Sequence, residues 1–308
     1  MQFRHHRKYA AAAIVVAAGA AATTLMFVRS RGLESPAAML ACLPRSGAVS
    51  VFIDIDGLRK SGVLDALAGS PAAEDPEYKK FVEGTGVDYR RDLTAFAAAF
   101  SGRSSYMVLR GAFDWNRLEQ YAKSQGGKCN SNGVCRTTAS DGRYVSFYRL
   151  RPRLMALAVA PDEWAALDVA PRRAADGAAV PNQPVWLSVS GPALRELSKL
   201  PTGTRSFISP LESAENVVFS IGQAGNRFQI NLDVACPSDA VASDIAARLE
   251  ESTNLLRKMM ARENMKPGRA DLAGVLVAGT FRRESRRVVG AWPLERDFIE
   301  AVAGGRVN

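Results

Sequence analysis

The sequence predicts an α+β fold, and the stretch Asn216–Met265 predicts it most clearly. From Phe228 to Val234, apolar residues alternate with polar ones, as in a strand with one buried and one solvated face. Gly225 and Asn226 tolerate positive φ, so the preceding strand is expected to form an antiparallel hairpin with this one. After Pro237, apolar residues recur every three or four positions, which indicates a long amphipathic helix. A helix on one face of an antiparallel hairpin is an α+β layer.

The rest of the chain repeats this order of elements, which predicts two similar domains of the antiparallel-sheet-plus-helix, ferredoxin-like type. The boundaries are 49–168 for the first domain, 169–184 for a linker and 185–308 for the second domain. Each half begins with a strand and a helix that carries a Leu-Arg pair, Leu58-Arg59 or Leu194-Arg195. The matching order suggests an internal duplication of a β-α-β-β-α-β-like unit. The alternative is a coincidence between two α+β halves.

Each predicted element is bounded by local signals. An additional helix in the first half has Asp75 as its cap, Pro76 in its first turn and Gly84 as its end. The other predicted elements of the first half are Val49–Asp54, Gly57–Leu67, Leu93–Phe100, Tyr106–Arg110, a helix capped by Asp114, Tyr144–Leu150, Leu154–Ala160 and Asp162–Asp168. Those of the second half are Val185–Val189, a helix with Pro192, Val217–Ile221, Leu272–Phe281, Val288–Trp292 and Glu295–Ala303.

The N-terminal region predicts a membrane anchor. Residues 1–8 form a basic tail, and the uncharged run Tyr9–Val28 is long enough to cross the hydrocarbon core of a bilayer as a helix. A cleaved signal sequence is the alternative, because a basic start and an Ala-rich core fit that pattern as well. The charges at Arg4, Arg7 and Lys8 favour a cytoplasmic N-terminus. The remaining residues are then extracytoplasmic beyond a tether at 29–48, or secreted if the segment is cleaved.

The four cysteines agree with an oxidising compartment. Cys129 and Cys135 enclose a turn-prone loop that brings them within disulfide range, so we expect them to be bridged. Cys42 and Cys236 are a possible second pair, although no sequence signal sets the distance between them.

Composition excludes several functions. Both histidines, His5 and His6, lie in the basic tail, so the folded part lacks Ser-His-Asp and Cys-His catalytic systems and imidazole-ligated zinc. About half of the net charge of +9 flanks the apolar run, and no basic helix or aromatic-basic strand indicates nucleic-acid binding. No glycine-rich phosphate loop is present. We therefore expect no cofactor and no nucleic-acid partner.

One motif suggests an enzyme. The apolar strand Val51–Ile55 contains Asp54 and is followed by Asp56 and Gly57. This segment resembles the first motif of the haloacid-dehalogenase-like phosphatases, in which the first aspartate is the nucleophile, the second is the acid–base and both help to hold magnesium. The resemblance implies a histidine-free, metal-dependent hydrolase using Asp54 and Asp56. The segment departs from that family at Leu58, where the family has threonine, and no later acidic pair follows a strand.

A basic cluster is the main candidate binding site. Arg282, Arg283, Arg286 and Arg287 bracket Glu284-Ser285 at the predicted tip of a hairpin. Four guanidinium groups there fit anionic lipid or an acidic partner, and the alternative is a charged loop that resists aggregation. We therefore predict a membrane-anchored, non-enzymatic protein with a binding or structural role in the cell envelope. Its expected partners are membrane lipid, through the N-terminal helix, and an envelope protein.

Overall fold

The computed structural model describes residues 34–44, 49–62, 64, 75–139, 141–172, 182–196, 202–224, 227–264, 268 and 270–303. The predicted anchor, Tyr9–Val28, lies outside these residues. Within the described ranges, no helix is both long enough and apolar enough to span a bilayer. The α+β prediction is confirmed, because helices cover parts of one large antiparallel sheet.

The first half begins with a short helix that precedes the first strand. Its elements are α1 (Pro36–Cys42), β1 (Val49–Ile53), α2 (Ile55–Lys60), α3 (Pro76–Thr85), α4 (Tyr89–Asp92), β2 (Leu93–Ser101), β3 (Ser104–Gly111), α5 (Trp115–Ser124), β4 (Lys128–Cys129), β5 (Cys135–Thr138), β6 (Tyr144–Arg151), β7 (Leu154–Ala160) and a 3₁₀ turn, Ala165–Asp168. Asp75 and Asp114 cap α3 and α5 as predicted. Helix α3 runs through the predicted stop at Gly84 and ends at Gly86, whose φ of 76° forms a left-handed cap.

The second half has the predicted hairpin and long helix. Its elements are β8 (Val185–Ser190), α6 (Gly191–Glu196), α7 (Thr202–Ile208), a 3₁₀ turn (Ser209–Ser213), β9 (Asn216–Ala224), β10 (Arg227–Ala235), α8 (Asp239–Arg262), α9 (Leu272–Val277), β11 (Thr280–Glu284), β12 (Arg287–Leu294) and α10 (Arg296–Ala303). The predicted strand Leu272–Phe281 is wrong over its first six residues. Those residues form α9, because the Asp271 side chain accepts hydrogen bonds from the amides of Gly268 and Gly274 and caps a helix there.

Strands from both halves form a single twelve-stranded sheet. The strand order is β11-β12-β10-β9-β8-β1-β2-β3-β7-β6-β5-β4, and every neighbouring pair is antiparallel. In a ferredoxin-like unit another strand lies between the two strands that a helix connects, whereas here β1 pairs directly with β2 and β8 pairs directly with β9. The strand order therefore differs from the ferredoxin-like one. The halves meet where β1 pairs with β8, with Val51 opposite Leu187. Outward from this central pair, β1-β2-β3-β7-β6 mirrors β8-β9-β10-β12-β11.

The two faces of the sheet are covered differently, and we name them face A and face B. Face A carries Ile53 on β1, Leu109 on β3 and Leu232 on β10, and it lies under α3, α5 and α8. Face B carries Phe52 and Trp186, whose rings stack across the central pair with centroids 5.9 Å apart. Because side chains alternate along a strand, the register assigns every strand residue to one face.

The segment predicted as a tether includes part of the core. Met39 and Cys42 of α1 are buried against face B of the first half, together with Leu154 of β7. Val169, placed in the predicted linker, is also buried there, and the amide of Ala170 donates to the carbonyl of Cys42 at 3.0 Å. Face B of the first half is therefore covered by segments that sequence reading assigned to connections.

Candidate functional site

The basic cluster lies at the hairpin tip, as predicted. Ser285 adopts a φ of 51° in the turn between β11 and β12, at the outer edge of the sheet. Arg282 pairs with Glu284 at 2.7 Å. Arg287 pairs through two nitrogens with Asp233 of β10, and hydrogen bonding to this carboxylate raises the pKa of Arg287 above its ordinary value. Two of the four arginines are therefore already engaged.

The other two arginines are exposed. Arg283 and Arg286 have no carboxylate partner within the described part of the chain. The carbonyl of Arg286 accepts a 2.9 Å hydrogen bond from the amide of Cys236, which fixes the turn against the end of β10. The hairpin thus presents two free cationic side chains on a backbone that is held in place.

Beside the hairpin, no segment of the described residues covers face B of the second half. A concave surface of about 530 Å³ lies over β9, β10, β12 and β11. The polar positions of β10 predicted to face solvent, Gln229, Asn231 and Asp233, all line it, and Arg282 lies at its margin. The remaining lining residues are Asn182, Gln183, Val218, Ser220, Leu232, Thr280, Phe281, Val289, Gly290 and Ala291.

The structure places Asp54 and Asp56 in local roles. Asp54 caps α2, because its carboxylate accepts from the amide of Gly57 at 3.1 Å. Asp56 lies within α2, 2.5 Å from Arg59 and 3.4 Å from Lys60. Within the described ranges, no three His, Cys, Asp or Glu side chains group closely enough to hold a metal ion. The two carboxylates are occupied by an amide and by two cations.

One of the two predicted cysteine pairs forms a disulfide and the other does not. Cys129 and Cys135 form a disulfide, as predicted, and it closes the β4–β5 hairpin. Cys42 and Cys236 are free and buried, so the possible second bridge is wrong. Cys236 directly follows β10, whereas Cys42 is in α1, which lies over β2. Strands β10 and β2 are four strand spacings apart, or about 19 Å, and this distance exceeds the reach of a disulfide. Burial raises the pKa of both thiols, so they remain protonated.

A second concave site was missed from the sequence. A cavity of about 280 Å³ lies in the first half, between face A and helices α3 and α5. It was missed because most of its lining residues are apolar and each of these is consistent with an ordinary core position. The one available signal was the insertion of α3, which adds Tyr78 and Phe81 to a half that already has α5.

An ion-pair cluster lies beside this cavity. Hydrogen bonds from Arg91 hold the pKa of Asp92 below its usual range. Burial acts to raise the pKa of Asp88, but hydrogen bonds from Arg90 and Tyr78 outweigh it and lower that pKa. Burial, followed by the hydrogen bond to Asp88, raises the pKa of Tyr78 to about 12. Both carboxylates are ionised at neutral pH, and Asp88 accepts a hydrogen bond from the Tyr78 hydroxyl.

The chain matches no protein-family model and no curated protein sequence. Solved structures that resemble it include three crystal forms of TP0453. Form I has a TM-score of 0.46 at 11% identity and covers 86% of this chain and 96% of that one. Form III has a TM-score of 0.45 at 10% identity and covers 85% of this chain and 96% of that one. Form IV has a TM-score of 0.43 at 11% identity and covers 85% of this chain and 95% of that one. Likeness at this distance carries no information about function.

Proposed function

We propose that this protein is a non-catalytic binding protein of the cell envelope, anchored by Tyr9–Val28 with its N-terminus in the cytoplasm. The bulk of the chain is then extracytoplasmic. The Cys129–Cys135 disulfide supports this placement, because structural disulfides persist in oxidising compartments. Membrane lipid surrounds the anchor, and an envelope protein is the partner of the folded part.

The uncovered face B of the second half is the observation that carries the binding role. In the first half, α1 and Val169 bury this face, whereas the same face of β9–β12 is concave, has both polar and apolar lining residues, and is not covered by any of the described residues. Within it the Gln229 amide donates to the Asn231 side-chain carbonyl, and each of these amides has a further group that can hydrogen-bond to a partner. A surface shaped in this way suits a protein segment better than a small molecule, because its opening is broad.

The positive charge at the hairpin tip favours an acidic partner. At the hairpin tip, Arg283 and Arg286 are exposed and have no carboxylate partner among the described residues, while Arg282 and Arg287 are each paired with one. Arg283 lies opposite Val288 and therefore on face A, whereas Arg286 lies in the turn between β11 and β12. Arginine forms bidentate hydrogen bonds with carboxylates, which gives orientation as well as attraction. The partner segment is therefore expected to carry Asp or Glu residues that reach the hairpin tip.

Site-specific photocrosslinking from position 285 in native membranes tests this role. We expect Ser285→p-benzoylphenylalanine to capture one envelope protein, and Arg283→Glu with Arg286→Glu to reduce that capture at least about tenfold. The matched control, Lys79→Glu with Lys80→Glu, reverses two exposed charges on α3 and is expected to retain it. Capture that survives the arginine reversal, or only self-crosslinks, would contradict the proposal.

We also propose that the halves 49–168 and 185–308 arose by duplication. One constant offset in numbering relates Val49 to Val185, Ile55 to Gly191 and Leu58 to Leu194. Leu58 and Leu194 are both buried, and each belongs to the helix that directly follows the first strand of its half. The mirrored strand order about the β1–β8 pair supports the same origin.

A further inference from the structure

The apolar cavity of the first half has walls on three sides. Face A supplies Leu109, Met155 and Leu157 from β3 and β7, and α3 and α5 form the opposite walls. Leu109 and Leu157 face the helix layer but remain only partly buried, because the cavity separates them from it. The lining also includes Tyr78, Phe81, Tyr121, Gln125, Thr137 and Val145.

Among the described residues, the lining contains no charged side chain, and apart from the tyrosines its only polar members are Gln125 and Thr137. The Tyr78 hydroxyl donates to Asp88 at 2.9 Å and accepts from the amide of Tyr89 at 3.3 Å, so its hydrogen bonds are already made. Placing an ion in such a cavity is costly, whereas hydrocarbon is accepted.

Contacts between the two helices hold the cavity open. The rings of Phe81 and Tyr121 meet edge to face with centroids 5.5 Å apart. Gly84 lies against Tyr121 so closely that a Cβ atom there would be 2.5 Å from the ring. Arg117 of α5 donates to the carbonyls of Glu83 and Gly84 at the end of α3. The helices are therefore joined to each other, which limits their collapse onto the sheet.

The disulfide hairpin forms one margin of the cavity. The amide of Gly127 donates to the carbonyl of Ala122 at 2.9 Å, so the chain turns from α5 directly into β4. Gly127 also lies close to Thr137 of β5. Gln125 is exposed where α5 ends. The polar lining residues therefore come from the end of α5 and from β5, where the lining reaches solvent.

We infer that this cavity binds the hydrocarbon body of a small amphiphile, with its uncharged polar end at Gln125 and Thr137. The cavity is about 280 Å³. A cavity of about 150 Å³ holds one benzene molecule, so this one accommodates roughly ten to twelve non-hydrogen atoms. A medium-length linear alcohol and the end of a lipid acyl chain share this chemistry. The site is separate from the open face B of the second half, because it lies on the other face of the sheet.

Photolabelling of the full chain in native membranes tests the inference. The first probe is 1-decanol with a diazirine at its terminal carbon, and labelled residues are located by peptide mass spectrometry. We expect labels in α5 and β7 that excess 1-decanol removes. A second probe, phosphatidylcholine with a diazirine at the end of one acyl chain, distinguishes the sources. Labelling of these elements by the alcohol alone identifies a free amphiphile, and labelling by both identifies acyl chains as ligands too.

Filling substitutions provide the matched comparison. Leu157→Phe and Val145→Phe place added carbons inside the cavity, whereas Leu167→Phe adds them at a side chain that is 51% exposed on the 3₁₀ turn. We expect each filling variant to lower labelling of α5 and β7 at least about fivefold and Leu167→Phe to leave it unchanged. Resistance to proteolysis confirms that each variant is folded. Labelling that persists in both folded filling variants, or that never reaches α5 and β7, would overturn the inference.

Discussion

Five strands of each half have the same order outward from the central pair, but the two halves are less well covered on opposite faces of the sheet. On face A, the second half has a continuous core in which Leu232, Ile245 and Leu249 are almost fully buried, whereas the first half has a 280 Å³ cavity at the corresponding layer. On face B, α1 covers the first half, whereas no part of the chain that the structure describes covers the second half. Candidate binding surfaces arise where one half lacks the cover that its counterpart has.

The difference on face A follows from the helices that cover it. Helix α8 has 24 residues, or about 36 Å, and buries Ile245 and Leu249 in the same core cluster as Leu232 of β10 and Trp292 of β12. The first half uses two helices of 10 residues each, α3 and α5, which also contact each other. Two short helices that share contacts leave space between themselves and the sheet.

The largest expected change in the free energy of unfolding comes from truncating a side chain in the filled core of the second half, compared with one beside the cavity of the first half. Leu232→Ala is expected to lower the free energy of unfolding by about 3–5 kcal/mol, because this side chain is 1% exposed and its loss leaves a new cavity. Leu157→Ala on face A of the first half is expected to cost at most about 2 kcal/mol, since this side chain is only partly buried and loses fewer packing contacts. Pulse proteolysis of the full chain across a urea series measures both values.

That comparison is sharpened by Leu157→Phe, which is expected to increase the free energy of unfolding by about 0.5–2 kcal/mol. Equal losses for the two alanine variants would indicate that the first half is as tightly packed as the second.

Removing the disulfide is expected to lower the free energy of unfolding by an intermediate amount. Among the described residues, this disulfide occurs only in the first half. Cys129→Ser with Cys135→Ser is expected to cost about 2 kcal/mol, because the bridge closes a short loop with a sequence separation of 6. Hydrogen exchange should then increase at β4, β5 and the end of α5 but not at β10.

Reductant supplies the control for the disulfide. It should reproduce the loss in the native protein and have no further effect on the double variant. An equal increase in exchange at β10 would show that the halves lose stability together.

The smallest expected effect is a pH dependence confined to the first half. The pKa of Tyr78 is raised to about 12 in the folded chain, against about 10 in an unfolded one. The stabilisation is therefore fully present below pH 10 and is lost as pH rises from about 10 to about 12. The stability difference between the native protein and Tyr78→Phe should shrink over this interval. Urea midpoints at pH 8, 10 and 11.5 measure it, and a constant difference would contradict the assignment.

Local signals account for most of the elements that could be predicted. The alternation from Phe228 to Val234, the caps at Asp75 and Asp114 and the loop between Cys129 and Cys135 each specify structure within a few residues. The prediction failed at α9, where an apolar run reads equally as strand or helix until the Asp271 cap is considered. The basic hairpin was also predicted, because both strands and the turn are contiguous in sequence.

The sequence by itself determined the α+β class, the disulfide and the position of the arginine hairpin. Only the tertiary structure decided that β1 and β8 join the halves into one sheet, that α1 is buried on face B and that a cavity lies above Leu157. The physical reason is that periodicity records which side of an element is apolar, whereas the segment that covers that side is chosen by packing between distant parts of the chain.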